Sequence, residues 1–281
     1  MNYEILHLKD FFPALGENGC DAVLTAYRPD NLTEMGRDDE IRPCLLICPG
    51  GGYEFCSQRE AEPVALQFLP DGFHVFVLNY SVAPHRYPTQ LREVAAALEL
   101  IYQNAETWHC DTEHIAIMGF SAGGHLAAHY ANAYDHPEVR AVFPDSKPVQ
   151  ASVLCYPVIT ADPAWAHLGS FNALTGKTSR TPDELLKFSC DKLVTAHTPP
   201  AFVWHTAADG CVPVMNSLLY AQALAAAQIP FELHVYPFGD HGLATSDDQT
   251  IDAPTAVHAY DHAWLPSAKK WLRAALSQTH G

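Results

Sequence analysis

The chain has 281 residues, 48% of them apolar and 17% charged, with a formal net charge of -16. That composition is too apolar for a disordered chain, and its acidity excludes partners that need a basic face, namely nucleic acid and anionic membranes. The length fits a single large α/β domain over 1–281.

The opening MNYEILHLKD has no basic stretch followed by an apolar run. No later apolar run approaches the roughly 20 residues needed to span a bilayer, so the expectation is a soluble, cytoplasmic protein. Short continuous apolar runs then appear at 43–48, 73–79, 114–118, 151–156, 201–206 and 231–236. Continuous rather than alternating runs are the mark of parallel strands buried on both faces. Helical spacing fills the intervals at 60–69, 88–106, 122–134, 215–227 and 263–275. In the second of these, Leu91, Val94, Ala95, Leu98 and Ile101 share one face, with Arg92, Glu93 and Glu99 on others. Strand and helix in alternation predict a mostly parallel sheet with helices on both faces.

Segment 159–200 breaks the alternation, since it carries Trp165, Phe171 and a TPDELL helix start but no strand pattern. It is predicted as a small cap-like insertion at the carboxyl edge of the sheet, with Trp165 a candidate substrate contact. The eight cysteines show no repeated framework spacing and no Cys-x-x-Cys pair. Cys44, Cys48 and Cys155 fall inside apolar runs, where cysteine behaves as a small hydrophobe, so reduced thiols are expected.

Gly119-Phe120-Ser121-Ala122-Gly123 matches Gly-x-Ser-x-Gly between an apolar run and a helical pattern. A sharp strand-to-helix turn of this kind has no room for side chains two residues either side of the serine, and the helix start presents free amides to developing negative charge. After the first apolar run stands CPGGGYEF, whose glycines let backbone amides approach a substrate oxygen. Gly51 and Gly52, with the amide of Ala122, are the expected oxyanion donors. Pro49 stands where a histidine is usual. Tyr53 and Phe55 follow the glycines and are expected to close the acyl side of the pocket.

A base and an acid should follow in the order Ser, Asp, His. Asp209 comes just after the run 201–206, and His241 just after 231–236, flanked by Gly239 and Gly242. Both lie at predicted strand carboxyl ends, where open α/β sheets build their sites. Asp240 is the rival acid, but side chains adjacent in an extended turn point apart, which favours Asp209. Two histidine pairs at helical spacing, His125 with His129 and His258 with His262, are read as packing rather than as metal ligands, because neither belongs to a His-Glu-x-x-His motif.

Taken together, PGGGY, EAEPVALQFLPDGFHVFVLNYSVAP, RYPTQLREVAAAL, GFSAGGHLAA and HTPPAFVWHTAADGCVPVMNSLLYAQAL resemble the acetyl esterase and acetylxylan-esterase-like branch of the α/β-hydrolase family. The resemblance implies an α/β-hydrolase fold and hydrolysis of small acyl esters, often acetyl groups on sugars. It implies no metal or organic cofactor, and it carries Ser121, Asp209 and His241 over as the triad. A small-molecule ester is then the expected partner, with a homo-oligomer left open. Two other readings remain: a serine peptidase of the prolyl-oligopeptidase type, which shares the triad order, and a non-catalytic binding member of the fold.

Overall fold

The computed structural model describes residues 1–16, 20–251 and 262–277. Among them, β1 (Asn2–His7), β2 (Val23–Arg28), β3 (Arg42–Cys48), β4 (His74–Asn79), β5 (Cys110–Phe120), β6 (Ala151–Cys155), β7 (Ala201–Thr206) and β8 (Phe231–Tyr236) form one sheet. Their spatial order is β1-β2-β4-β3-β5-β6-β7-β8. The pairs β1/β2 and β2/β4 are antiparallel, and every pairing from β4 to β8 is parallel.

Each of the six predicted runs is a strand, and for the inner strands the packing explains why the pattern is continuous. In β3, Cys44, Leu46 and Cys48 join the core layer that holds the helices Thr89–Gln103 and Ser121–Ala133. Leu45 and Ile47 enter the opposite layer, beneath the helices Glu62–Phe68 and Trp264–Ser277. Both faces are therefore dry, and a fully buried Leu, Ile or Val contributes about 1.5–3 kcal/mol by leaving water. The last helix is one-sided by contrast, burying Trp264, Ala268, Leu272 and Leu276 at steps of four residues.

The sequence reading did not include β1 and β2. β1 is an edge strand whose side chains are almost all exposed, so backbone pairing to β2 holds it and no apolar signal marks it. β5 begins at Cys110, ahead of the predicted 114, because Arg42 and Pro43 pair with Cys110 and Asp111 before a register shift at Pro43/Cys44.

Between β6 and β7 lie the helices Leu168–Thr175, Pro182–Phe188 and Cys190–Leu193. The second starts at a capping box in which the Thr181 hydroxyl accepts the Glu184 amide and the Glu184 carboxylate accepts the Thr181 amide. His125, in the helix after β5, anchors this segment: its ring is edge-on to the buried Phe171 at 5.1 Å, and its Nε2 donates to the Phe188 carbonyl at 2.8 Å. Among the described residues no helix is long and apolar enough to cross a membrane.

Candidate active site

Ser121 sits at the junction of β5 and the helix Ser121–Ala133, with φ at +52°. The flanking glycines are dictated by contact. A Cβ on Gly119 would lie 2.2 Å from the Gly123 carbonyl oxygen, and one on Gly123 would lie 2.1 Å from that of Cys48. The turn thus pushes Ser121 out at the carboxyl end of the sheet while the helix packs against the loop after β3.

The chain beyond β8 brings His241 to the serine, with Nε2 2.7 Å from Ser121 Oγ. The chain beyond β7 brings Asp209, whose Oδ2 accepts from His241 Nδ1 at 2.6 Å. The other carboxylate oxygen accepts the amides of Cys211 and Val212, each at 2.8 Å, which locks the acid in a tight turn. Burial alone would raise the Asp209 pKa, but the hydrogen bonds from His205 and His241, the His241 charge and the Val212 amide together hold it well below the usual carboxylate range. With Asp209 on Nδ1, the proton sits there and Nε2 is left to accept from the serine hydroxyl.

A cavity of about 320 Å³ opens over Ser121 and His241. Gly51 and Gly52 line it, with φ of +121° and +66°. A side chain at Gly51 would meet the Phe55 carbonyl at 2.1 Å, so the loop requires glycine there. Ala122 lies in the first helical turn, where an N–H has no carbonyl partner within the helix. Phe55 also borders the cavity and is 60% exposed.

Two expected substrate contacts lie elsewhere. Tyr53 is 1% exposed, because its positive φ turns the ring into the core, where its hydroxyl donates to His125 Nδ1 at 2.8 Å. Trp165 borders a separate cavity with Leu186 and Leu219, its turn closed by the amides of Trp165 and Ala166 on the Asp162 carbonyl.

Among the cavity residues that were not anticipated are Glu60, Arg59, Cys211 and His167. His167 caps the helix Leu168–Thr175, and its pKa is lowered by burial and then by the His241 charge. Nothing in a lone histidine of a segment without strands marks it in advance. Glu60 does carry a trace, an acid just ahead of the EPVALQF helix, but that reads as an ordinary first-turn carboxylate.

The histidine pair on the helix after Ser121 has packing roles. Both His125 nitrogens are engaged, by Tyr53 and Phe188, and burial lowers its pKa to about 4. His129 stacks on Tyr87 with the rings 5° from parallel. His258 lies outside the described residues, while His262 bonds the Phe238 carbonyl and the Ser246 hydroxyl.

Residues 31–224 match the BD-FAE family. An acetylxylan esterase of Xylanibacter ruminicola is 34% identical over 239 residues, covering 83% of this chain and 46% of its own length. Endo-1,4-beta-xylanase B of Butyrivibrio fibrisolvens is 38% identical over 232 residues, covering 79% of this chain and 35% of its own. The chain thus spans less than half the length of either relative. Among solved structures, an acetyl ester-xyloside bifunctional hydrolase from Caldicellulosiruptor lactoaceticus superposes with a TM-score of 0.81 at 34% identity, covering 96% of both chains. A carboxylesterase from Lactobacillus plantarum superposes at 0.78 with 33% identity, covering 90% of this chain and 92% of its own. By that match and these neighbours, the chain belongs to the BD-FAE family and has the α/β-hydrolase fold shared by the carboxylic ester hydrolases it resembles.

Proposed function

We propose that this chain is a serine carboxylesterase acting on small acyl esters, acetyl groups on xylo-oligosaccharides foremost. The observation that carries the reading is the continuous relay Ser121 Oγ, His241 Nε2, His241 Nδ1, Asp209 Oδ2, with its links of 2.7 and 2.6 Å opening onto the cavity beside Gly51 and Gly52.

In the first step Ser121 Oγ attacks the ester carbonyl as His241 Nε2 takes its proton, and Asp209 stabilises the imidazolium. The developing oxyanion accepts from the amides of Gly51, Gly52 and Ala122, donors whose removal elsewhere costs about 3–4 kcal/mol each. His241 returns the proton to the departing alkoxide, leaving an acyl-enzyme on Ser121. Water, deprotonated by His241, then attacks the acyl carbon, and His241 passes that proton to the departing Ser121 Oγ as the acid is released. Segment 159–200 acts as a cap that brings His167 to the acceptor side of the cavity.

The acetyl preference draws on the relatives named for acetyl esters and on the bulk of Phe55 beside the glycine loop. The test is covalent and kinetic. A fluorophosphonate should label Ser121, and Ser121→Ala should lower p-nitrophenyl acetate turnover by at least about 10³-fold in a folded protein. Purified protein should also release acetate from acetylated xylo-oligosaccharides. Normal turnover by folded Ser121→Ala would end the proposal.

A further inference from the structure

A carboxyl group lies in the floor of the cavity. Glu60 ends the single turn Gln58–Glu60 and is 3% exposed. Burying a carboxyl group is unfavourable unless its oxygens are hydrogen-bonded, and an apolar side chain would fill the same space without that desolvation penalty. Both Glu60 oxygens are engaged, each by a different arm of the site. Oε2 accepts the Gly50 amide at 2.7 Å. Oε1 accepts the Tyr156 hydroxyl at 2.8 Å. The Tyr156 oxygen in turn accepts the Ala244 amide at 2.9 Å.

We propose that Glu60 is a positioning residue that fixes the glycine loop and the His241 loop relative to one another. The inference rests on the serine acyl-transfer reading above. On one arm, Gly50 is wedged between Glu60 and the nucleophile: a Cβ there would lie 2.7 Å from Glu60 Oε2 and 2.9 Å from Ser121 Cβ. Holding the Gly50 amide therefore sets the direction of the next two peptide units, those of Gly51 and Gly52. On the other arm, Tyr156 and Ala244 have φ of +36° and +50°, a region that non-glycine residues keep only when their surroundings hold them there. The Tyr156 hydroxyl bridges Glu60 to Ala244, three residues past His241, and the Tyr156 ring stands edge-on to the imidazole at 5.0 Å. One carboxyl thus spans the oxyanion donors and the base. Burial raises its pKa, opposed by the Tyr156 and Gly50 hydrogen bonds and by the His241 charge, so the buried group also feels the proton that His241 gains during attack.

The experiment compares Glu60→Gln, Tyr156→Phe and the double variant, with Ser121→Ala as reference, on p-nitrophenyl acetate, each checked for folding by circular dichroism. Glutamine keeps the shape but offers one acceptor and turns an NH₂ toward a donor; phenylalanine removes only the bridging hydroxyl. We expect Glu60→Gln to lower kcat by about 10- to 100-fold with KM changed by less than about threefold, since a misplaced site loses transition-state rather than ground-state contacts. Tyr156→Phe should lower kcat in the same way, and the double variant should be no worse than the poorer single one, as for two links of one chain. A folded Glu60→Gln enzyme with normal kcat, a loss confined to KM, or fully multiplicative effects would overturn the assignment. Should Glu60→Gln not fold, Tyr156→Phe decides alone: reduced kcat at constant KM supports the coupling and normal kcat removes it. Retained activity in Ser121→Ala would instead remove the acyl-transfer reading, which separates the two failures.

Discussion

His205 Nε2 approaches Asp209 Oδ2 at 3.3 Å, so the carboxylate that meets His241 is braced from inside β7 by a second, fully buried histidine. His205 is held in turn, its Nδ1 2.7 Å from the Ser217 hydroxyl and its Nε2 3.0 Å from the Val212 carbonyl. This support ranks the two candidate acids. Asp209→Asn should lower kcat by about 10³- to 10⁴-fold, as loss of the correct imidazole tautomer does elsewhere, and Asp240→Asn should leave turnover within about twofold. Steady-state kinetics on both variants checks this, and the opposite ranking would reassign the acid.

Tyr53→Phe separates packing from substrate contact. It leaves His125 Nδ1 buried without its donor, an omission worth about 1–3 kcal/mol of stability. KM for p-nitrophenyl acetate should not move, because the ring points into the core. Urea unfolding and Michaelis kinetics on one preparation decide the matter; unchanged stability with a raised KM would return Tyr53 to the pocket.

The buried His125 gives a pH dependence of stability with a definite sign. Its folded pKa is lowered by burial from 6.5 to about 4. Above 6.5 neither state binds the proton; between 6.5 and about 4 the unfolded chain binds it and the folded one does not, so stability falls as pH falls through this window. The loss amounts to something on the order of 3 kcal/mol from this group. His129, likewise lowered by burial, adds to it in the same direction. Thermal unfolding from pH 7.5 to 4 should show a declining Tm, and His125→Gln should flatten the decline; a Tm that rises on acidification would contradict the assignment.

How much of this was legible in the sequence differs between the sheet and the site. β3 to β7 announce themselves because burial on both faces demands unbroken apolar runs, whereas β1 keeps Tyr3 and Ile5 exposed and joins the sheet through backbone pairing to β2 and side-chain contacts such as Tyr3 on Tyr27. Ser121 and the glycine loop are legible because backbone geometry forces glycine at fixed spacing. Asp209 and His241 are legible because of where the strands end. Glu60 and His205 are not, since a carboxylate near a helix start gains meaning only from the distant Tyr156, and a histidine within a strand only from how the following loop folds Asp209 and Val212 back onto it. Tyr53 misled for a local reason: after a glycine at positive φ, sequence adjacency to the loop says nothing about which way the next ring turns.

Under the proposed function Phe55, which borders the cavity, is the ring left to limit acyl length, since Tyr53 is buried. Acetate should exceed octanoate in kcat/KM, because methylenes that the pocket cannot hold stay in water and gain no transfer energy, while any that are forced in cost about 1–3 kcal/mol by overpacking. Phe55→Ala should narrow the gap by raising octanoate turnover. A p-nitrophenyl ester series below the micellar range measures both; faster octanoate hydrolysis by the unaltered protein would mean an open, lipase-like cleft.

Cys211 is the exposed member of the eight free cysteines; six are buried, Cys56 is intermediate, and Cys211 stands at the rim of the Ser121 cavity. Its thiol pKa is raised by burial and then by Asp209, so alkylation there calls for a mildly alkaline buffer. A maleimide dye applied to the unaltered protein should therefore settle at the mouth of the cleft, where its emission reads ligand entry directly, with no engineered cysteine and no reporter group on the substrate.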